Sequence, residues 1–114
     1  MKILQKVYNP KQQYVIAPSE LYRKIGELMP PCRSFIYIAA KYNVPIYCGA
    51  SSDTELALDL IKYRKYGDLN IVLDDMADIE NFATLIKKYP VHGTIILGGG
   101  VPRNWSQQIF PYID

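Results

Sequence analysis

Gly93-Thr94-Ile95-Ile96-Leu97-Gly98-Gly99-Gly100-Val101-Pro102-Arg103-Asn104 reads as a strand, a glycine turn and the head of a helix. Thr94 to Leu97 is a short apolar run of β-favouring residues, the pattern of a strand covered on both faces. Three glycines then allow a sharp turn, and Pro102 suits the first turn of a helix running through Trp105 and Gln108.

The same grammar recurs upstream. Leu69-Asn70-Ile71-Val72-Leu73 is a second apolar run, closed by Asp74-Asp75, and Val44-Pro45-Ile46-Tyr47-Cys48 is a third, closed by Gly49. Helical stripes separate them. Asp78 can cap a helix with Ile79, Phe82, Ala83 and Ile86 on one side, and Ser52-Asp53-Thr54-Glu55 is a capping-box pattern ahead of Leu56 to Ile61. Pro18 suits a first helical position, Leu21, Ile25 and Leu28 form a stripe, and Pro30-Pro31 must end it. Phe35, Ile38, Ala39 and Tyr42 make another apolar face. Alternating strands and helices predict an α/β chain: a Rossmann-like open parallel sheet with flanking helices, forming one domain over residues 1–114.

Composition bounds the function. The chain has 114 residues, 49% of them hydrophobic, and 13 Lys+Arg against 11 Asp+Glu leave a formal charge of +2. Lys62, Arg64 and Lys65 are one short basic turn, which gives no electrostatic case for a nucleic-acid partner. No apolar run approaches the roughly 20 residues a membrane helix needs, and the N-terminus has no long apolar core of a signal peptide. Cys32 and Cys48 lack CxxC spacing and His92 is the one histidine, so no ordinary metal site is expected. The default address is the cytoplasm.

Ligands of open α/β sheets bind beyond the carboxyl ends of the strands, which singles out the loops from Gly49 to Asp53, Asp74 to Asp78 and Gly98 to Asn104. In the last, Gly98 and Gly100 open a GxGxxG-like pattern, but Arg103 stands where the final glycine would. Close approach of a ligand and a plain tight turn are both open on spacing alone. Asp53 can meet a ligand hydroxyl or amine, or simply cap a helix. Asp74 and Asp75 lack a third partner for a metal and read as solvated ends of a strand. Trp105 and the ten tyrosines read mostly as core or interface aromatics, and His92 as structural.

The 93–104 stretch resembles the signature of the deoxyhypusine synthase family. Val44-Pro45-Ile46-Tyr47-Cys48-Gly49-Ala50-Ser51-Ser52-Asp53 is similar to that family's preceding strand and Pro-Ala-x-Thr/Ser-Asp loop. Ile71-Val72-Leu73-Asp74-Asp75-Met76-Ala77-Asp78-Ile79 resembles its next strand and helix start, and Ala17-Pro18-Ser19-Glu20 the opening of an upstream helix. Pro102-Arg103-Asn104 followed by Trp105-Ser106-Gln107-Gln108 is closest to the bacterial branch.

The resemblance implies NAD-dependent transfer of an aminobutyl group. Spermidine is oxidised to an imine, a lysine of the enzyme captures the group, and a protein lysine or small amine accepts it. By motif, Asp53 and Gly99 would contact NAD, flanked by Gly98 and Gly100, and Asn104 would face the polyamine in place of a histidine. The polyamine-binding carboxylate of eukaryotic members falls on Leu58, with Asp59 one residue further round the helix, so the identity of the polyamine is open. The family's Ser-Trp-Gly-Lys stretch, which carries the nucleophilic lysine, has no counterpart here. The segment is therefore expected to be an internal portion, incomplete relative to the family, with no catalytic residue of its own and inactive alone. The family also implies a homotetramer. Beside this reading stand a non-catalytic assembly partner of a full-length homologue and a plain Rossmann-like nucleotide-binding module.

Overall fold

The computed structural model describes residues 2–113. Among them the chain runs through a 3-10 turn (Lys2–Lys6), strand β1 (Tyr14–Ile16), helices α1 (Pro18–Leu28), α2 (Phe35–Lys41) and α3 (Glu55–Lys65), strand β2 (Ile71–Leu73), helices α4 (Asp75–Lys87) and α5 (Val101–Gln107), and a 3-10 turn (Phe110–Tyr112). β1 and β2 pair in parallel, with Tyr14 opposite Ile71 and Ile16 opposite Leu73. Asn70 O accepts from the Tyr14 N–H at 2.9 Å and Ile16 O accepts from the Asp74 N–H at 2.8 Å, which fixes the ladder at both ends. The chain is thus a mixed helix and parallel-sheet structure, with two strands among the described residues.

Local chemistry explains the helices. Pro18 opens α1, and Met29 leaves it in extended conformation ahead of Pro30. Ser34 caps α2, Thr54 caps α3 and Asp74 caps α4, each side chain accepting from a first-turn N–H. Asp78, expected as the cap of α4, lies inside its first turn and is buried. The polar cap signal belonged to Asp74, four residues earlier.

The core gathers Leu4, Tyr8, Ile16, Leu21, Leu60, Leu69 and Ile71. It is built by the N-terminal turn, α1, α3 and the sheet. Leu4 and Leu21 are fully buried, each worth roughly 1.5–3 kcal/mol relative to exposure. α2 packs against α1, and Gly26 makes that contact possible: a Cβ there would lie 2.5 Å from Ile36 O and 2.6 Å from the Ala40 Cβ. The expected apolar face of α2 therefore points the other way. Phe35, Ile38 and Tyr42 are exposed, because α2 turns Ile36 and Ala40 toward α1.

Two expected strands are absent, and one unexpected strand is present. Residues 44–48 and 94–97 have no ladder partners. Ile95 and Leu97 are 90% and 95% exposed, so this run has β-favouring residues but nothing beside it to complete a pair. Strand preference expresses itself through neighbours, not through the isolated backbone. Tyr14-Val15-Ile16 takes the place beside β2 instead.

Candidate functional site

The loop from Gly49 to Asp53 is anchored at three points. Thr54 Oγ1 accepts from the Ala57 N–H at 3.2 Å and donates to Ser51 O at 2.6 Å. Ser51 is buried and its hydroxyl donates to the Asp75 carboxylate, tying the loop to the start of α4. Gly49 seats α5, since a Cβ there would come within 3.0 Å of Val101 Cγ1 and 3.1 Å of Trp105 Cβ. Because Thr54 is the cap, Asp53 is released from that duty. Its side chain is exposed, while its N–H donates to Ala50 O at 3.1 Å.

The glycine run divides by physical need. Gly98 and Gly100 adopt φ of 89° and 88°, the left-handed region where a side chain is strained. Gly99 does not, and a Cβ on it would meet nothing within 4 Å. Neither the turn nor the packing requires Gly99 to be glycine. Gly98 and Gly99 line a hollow of about 350 Å³ together with residues 94–97, Pro102, Arg103 and Ser106. Asp53, Gly100 and Asn104 lie outside its wall. Asn104 is exposed on α5, its N–H donating to Gly100 O at 3.1 Å and its amide to Gln108 Oε1 at 3.2 Å.

Aromatic packing joins the two loops. Trp105 stacks on Tyr47 with ring centroids 5.3 Å apart, and Phe82 of α4 closes the trio, 5.0 Å from Trp105 and 5.4 Å from Tyr47. Such pairs favour offset or edge-on geometry and hold α5 against α4. Burial pushes the Tyr47 phenol above its ordinary pKa, and the Asp78 carboxylate adds to the rise. Tyr22 is raised by burial and by its contact with the Cys48 thiol.

The remaining candidates have local duties. Asp74 Oδ1 accepts from the Ala77 N–H at 3.1 Å and Asp75 takes the Ser51 hydroxyl, so both bind protein groups. Among the described residues no three His, Cys, Asp or Glu side chains gather as a metal site requires. His92 joins the end of α4, its Nε2 lying 2.6 Å from Ile86 O, in keeping with a structural role. Lys62, Lys65, Lys87 and Lys88 are exposed, as are Leu58 and Asp59. No helix of the described residues is long and apolar enough to cross a membrane.

Sequence reasoning missed the Ser51–Asp75 and Ser19–Asp78 pairs, which join residues 24 and 59 positions apart. No local pattern announces either. It also missed β1, whose one signal was Tyr14-Val15-Ile16 just before Pro18.

The family model for deoxyhypusine synthase matches residues 1–113. The chain belongs to the deoxyhypusine synthase family. It is 31% identical over 107 residues to a probable deoxyhypusine synthase 1 of Methanosarcina mazei, covering 94% of this chain and 33% of the relative. To a probable deoxyhypusine synthase of Drosophila melanogaster it is 31% identical over 93 residues, 82% of this chain and 25% of the relative. To the deoxyhypusine synthase of Caenorhabditis elegans it is 32% identical over 87 residues, 76% and 24% respectively. The chain therefore spans about a third or less of the length of these curated relatives. No solved structure matches it significantly.

Proposed function

We propose that this chain is a portion of a deoxyhypusine-synthase-like NAD-dependent aminobutyl transferase, acting on spermidine or a related polyamine with a protein lysine or small amine as acceptor. Family membership carries the reading. The chain's share is cofactor and substrate contact. Asp53 offers an exposed carboxylate with no capping role, suited to a ligand hydroxyl. Gly99 is glycine without a demand from turn or packing, and a missing Cβ lets a ligand reach the backbone. Gly98 and Gly100 hold that turn open, and Asn104 presents an amide toward a polyamine from the helix that follows.

NAD, when bound, supplies the hydride acceptor. The residues here bind and orient; none is assigned the role of nucleophile. Lys62, Lys65, Lys87 and Lys88 are exposed, and Lys62 borders an open hollow of about 380 Å³ with Tyr63, Tyr66 and Asp68; none is enclosed in the way that activates an amine. The wider architecture belongs to the same proposal. In a Rossmann-like sheet the exposed 94–97 run would lie beside β2, whose flank borders a hollow of about 180 Å³ with Ser51 and Leu60 in its wall. Exposed apolar residues such as Ile95, Leu97 and Phe35 fit a chain that is covered in a homo-oligomer, a tetramer by resemblance, in the cytoplasm.

The test is an amide-shift titration of the labelled chain with NAD, repeated on Asp53→Ala. Shifts are expected at Gly99 and around Asp53, weakened by the substitution. Borohydride trapping with labelled spermidine and NAD should leave Lys62, Lys65, Lys87 and Lys88 unmodified. NAD shifts confined to other segments, or an adduct on one of these lysines, would overturn the assignment.

A further inference from the structure

Asp53 and Gly99 belong to separate loops, and Asp53 lies outside the wall of the hollow that Gly98 and Gly99 line. Something other than a shared cavity must fix where one stands relative to the other. We propose that Asp75 and Ser51 are positioning residues: Asp75, at the start of α4, holds the Asp53 loop through the Ser51 hydroxyl, while α4 also holds the helix that follows the glycine turn. The inference rests on the reading above, in which Asp53 and Gly99 contact one ligand.

The Asp53 loop has little to hold it by itself. The Asp53 N–H donates to Ala50 O at 3.1 Å, which makes residues 50–53 a four-residue turn with Ser51 and Ser52 at its centre. Many such turns stand open. Here Ser51 is 4% exposed and its hydroxyl donates to the Asp75 carboxylate. Its carbonyl accepts from Thr54 Oγ1 at 2.6 Å, the same oxygen that caps α3. Ser51 is thus the joint between the heads of α3 and α4. Among the described residues, its bond to Asp75 is the one hydrogen bond that carries the 49–54 loop to an element other than α3. Asp75 is exposed and free for this duty, because Asp74 caps α4.

The glycine turn reaches the same helix by another route. It leads into α5, whose Trp105 packs on Phe82 of α4 with ring centroids 5.0 Å apart. Phe82 lies about two turns, or roughly 10 Å, beyond Asp75 along α4. Gly49, at the other end of the Asp53 loop, seats Val101 and Trp105 directly. α4 therefore sets the spacing of the two loops, and cutting the Asp75 tie frees the Asp53 end while leaving the α5 end in place.

The test follows amide exchange and NAD-induced amide shifts in the labelled 114-residue chain, unsubstituted and with Asp75→Ala, Asp75→Asn, Ser51→Ala and the Asp75→Ala/Ser51→Ala pair. Each alanine variant should speed exchange of the Asp53 amide roughly ten- to a hundredfold, the weight of a lost hydrogen bond to a charged group. NAD should bind at least about threefold more weakly, because the binding-competent loop is less populated. The pair should add nothing to either single change, since both remove one contact. Asp75→Asn keeps an acceptor oxygen and should stay near the unsubstituted chain, and Trp105 emission should hold steady throughout. Unchanged exchange or affinity in Ser51→Ala would overturn the inference. So would an additive pair, or an Asp75→Asn chain that behaves like Asp75→Ala, which would make the charge at the helix head the cause. Should Asp75→Ala fail to fold, Ser51→Ala, which removes a single oxygen, decides. If NAD shifts no amide of the unsubstituted chain, the proposed function fails, and exchange at Asp53 alone decides whether Asp75 and Ser51 position the loop.

Discussion

Gly26→Ala sets two physical effects against each other in one substitution. Gly26 lies inside α1, where alanine is the better helix former by about 0.8–1 kcal/mol. Yet the added Cβ would lie 2.5 Å from Ile36 O and 2.6 Å from the Ala40 Cβ. Carbon atoms rest at about 3.5–4.0 Å, so α2 must retreat by about 1 Å. One of the two obstacles is backbone, which no rotamer change can move aside. Overpacking of this kind costs about 1–3 kcal/mol, and the upper end applies here. Subtracting the helix gain leaves a net loss of about 2 kcal/mol. For a chain of this size that lowers the melting midpoint by roughly 8 °C. Urea unfolding and thermal melts followed by far-ultraviolet circular dichroism read both values. A Gly26→Ala chain that is more stable by about 1 kcal/mol would show that helix propensity governs, and that α1 and α2 do not touch as described.

Gly49→Ala should push α5 away from the loop, because Val101 Cγ1 and Trp105 Cβ stand 3.0 and 3.1 Å from the new methyl; Trp105 emission should shift to the red, and an unchanged spectrum would count against the packing. Stability should fall as pH rises above about 10, since burial raises the pKa of Tyr8, Tyr22 and Tyr47 above that of an ordinary phenol. The unfolded chain then loses its phenol protons first, so the loss begins at the unfolded pKa and levels off above the folded ones. Denaturation midpoints and phenolate absorbance between about pH 9 and 12 check this against the reference pKa near 10, and a flat profile would contradict it.

Helix grammar was legible in this sequence where prolines and stripes agreed. Pro18 and Pro30 bound α1, and the apolar recurrence from Ile79 to Ile86 marked α4. Strands were harder to read. Three residues at β1 are too few to show a period, while 94–97 carried every residue preference of a strand and no partner. A ladder depends on what lies beside it, and sequence records that only indirectly. The site followed the same division. The left-handed turns at Gly98 and Gly100 were legible as glycine positions. Whether Asp53 capped α3 was settled by the hydroxyl of its neighbour Thr54, a choice among adjacent polar residues that spacing leaves open. The buried Asp78 contact with Ser19 joins elements 59 residues apart.

The parallel ladder has a consequence in time. Tyr14 pairs with Ile71, 57 residues later in the chain. A ribosome adding about 5–20 residues per second releases Ile71 roughly 3–11 s after Tyr14. During that interval α1 and α2 can form and meet, since both lie between the two strands and helices form within microseconds. β1 has no ladder partner among these earlier residues. Ile16, which shares the finished core with Leu60, Leu69 and Ile71, must wait for those later neighbours until β2 arrives. Newborn copies on neighbouring ribosomes would be most prone to stick to one another in those seconds, and an early pause between α3 and β2 would prolong the exposure.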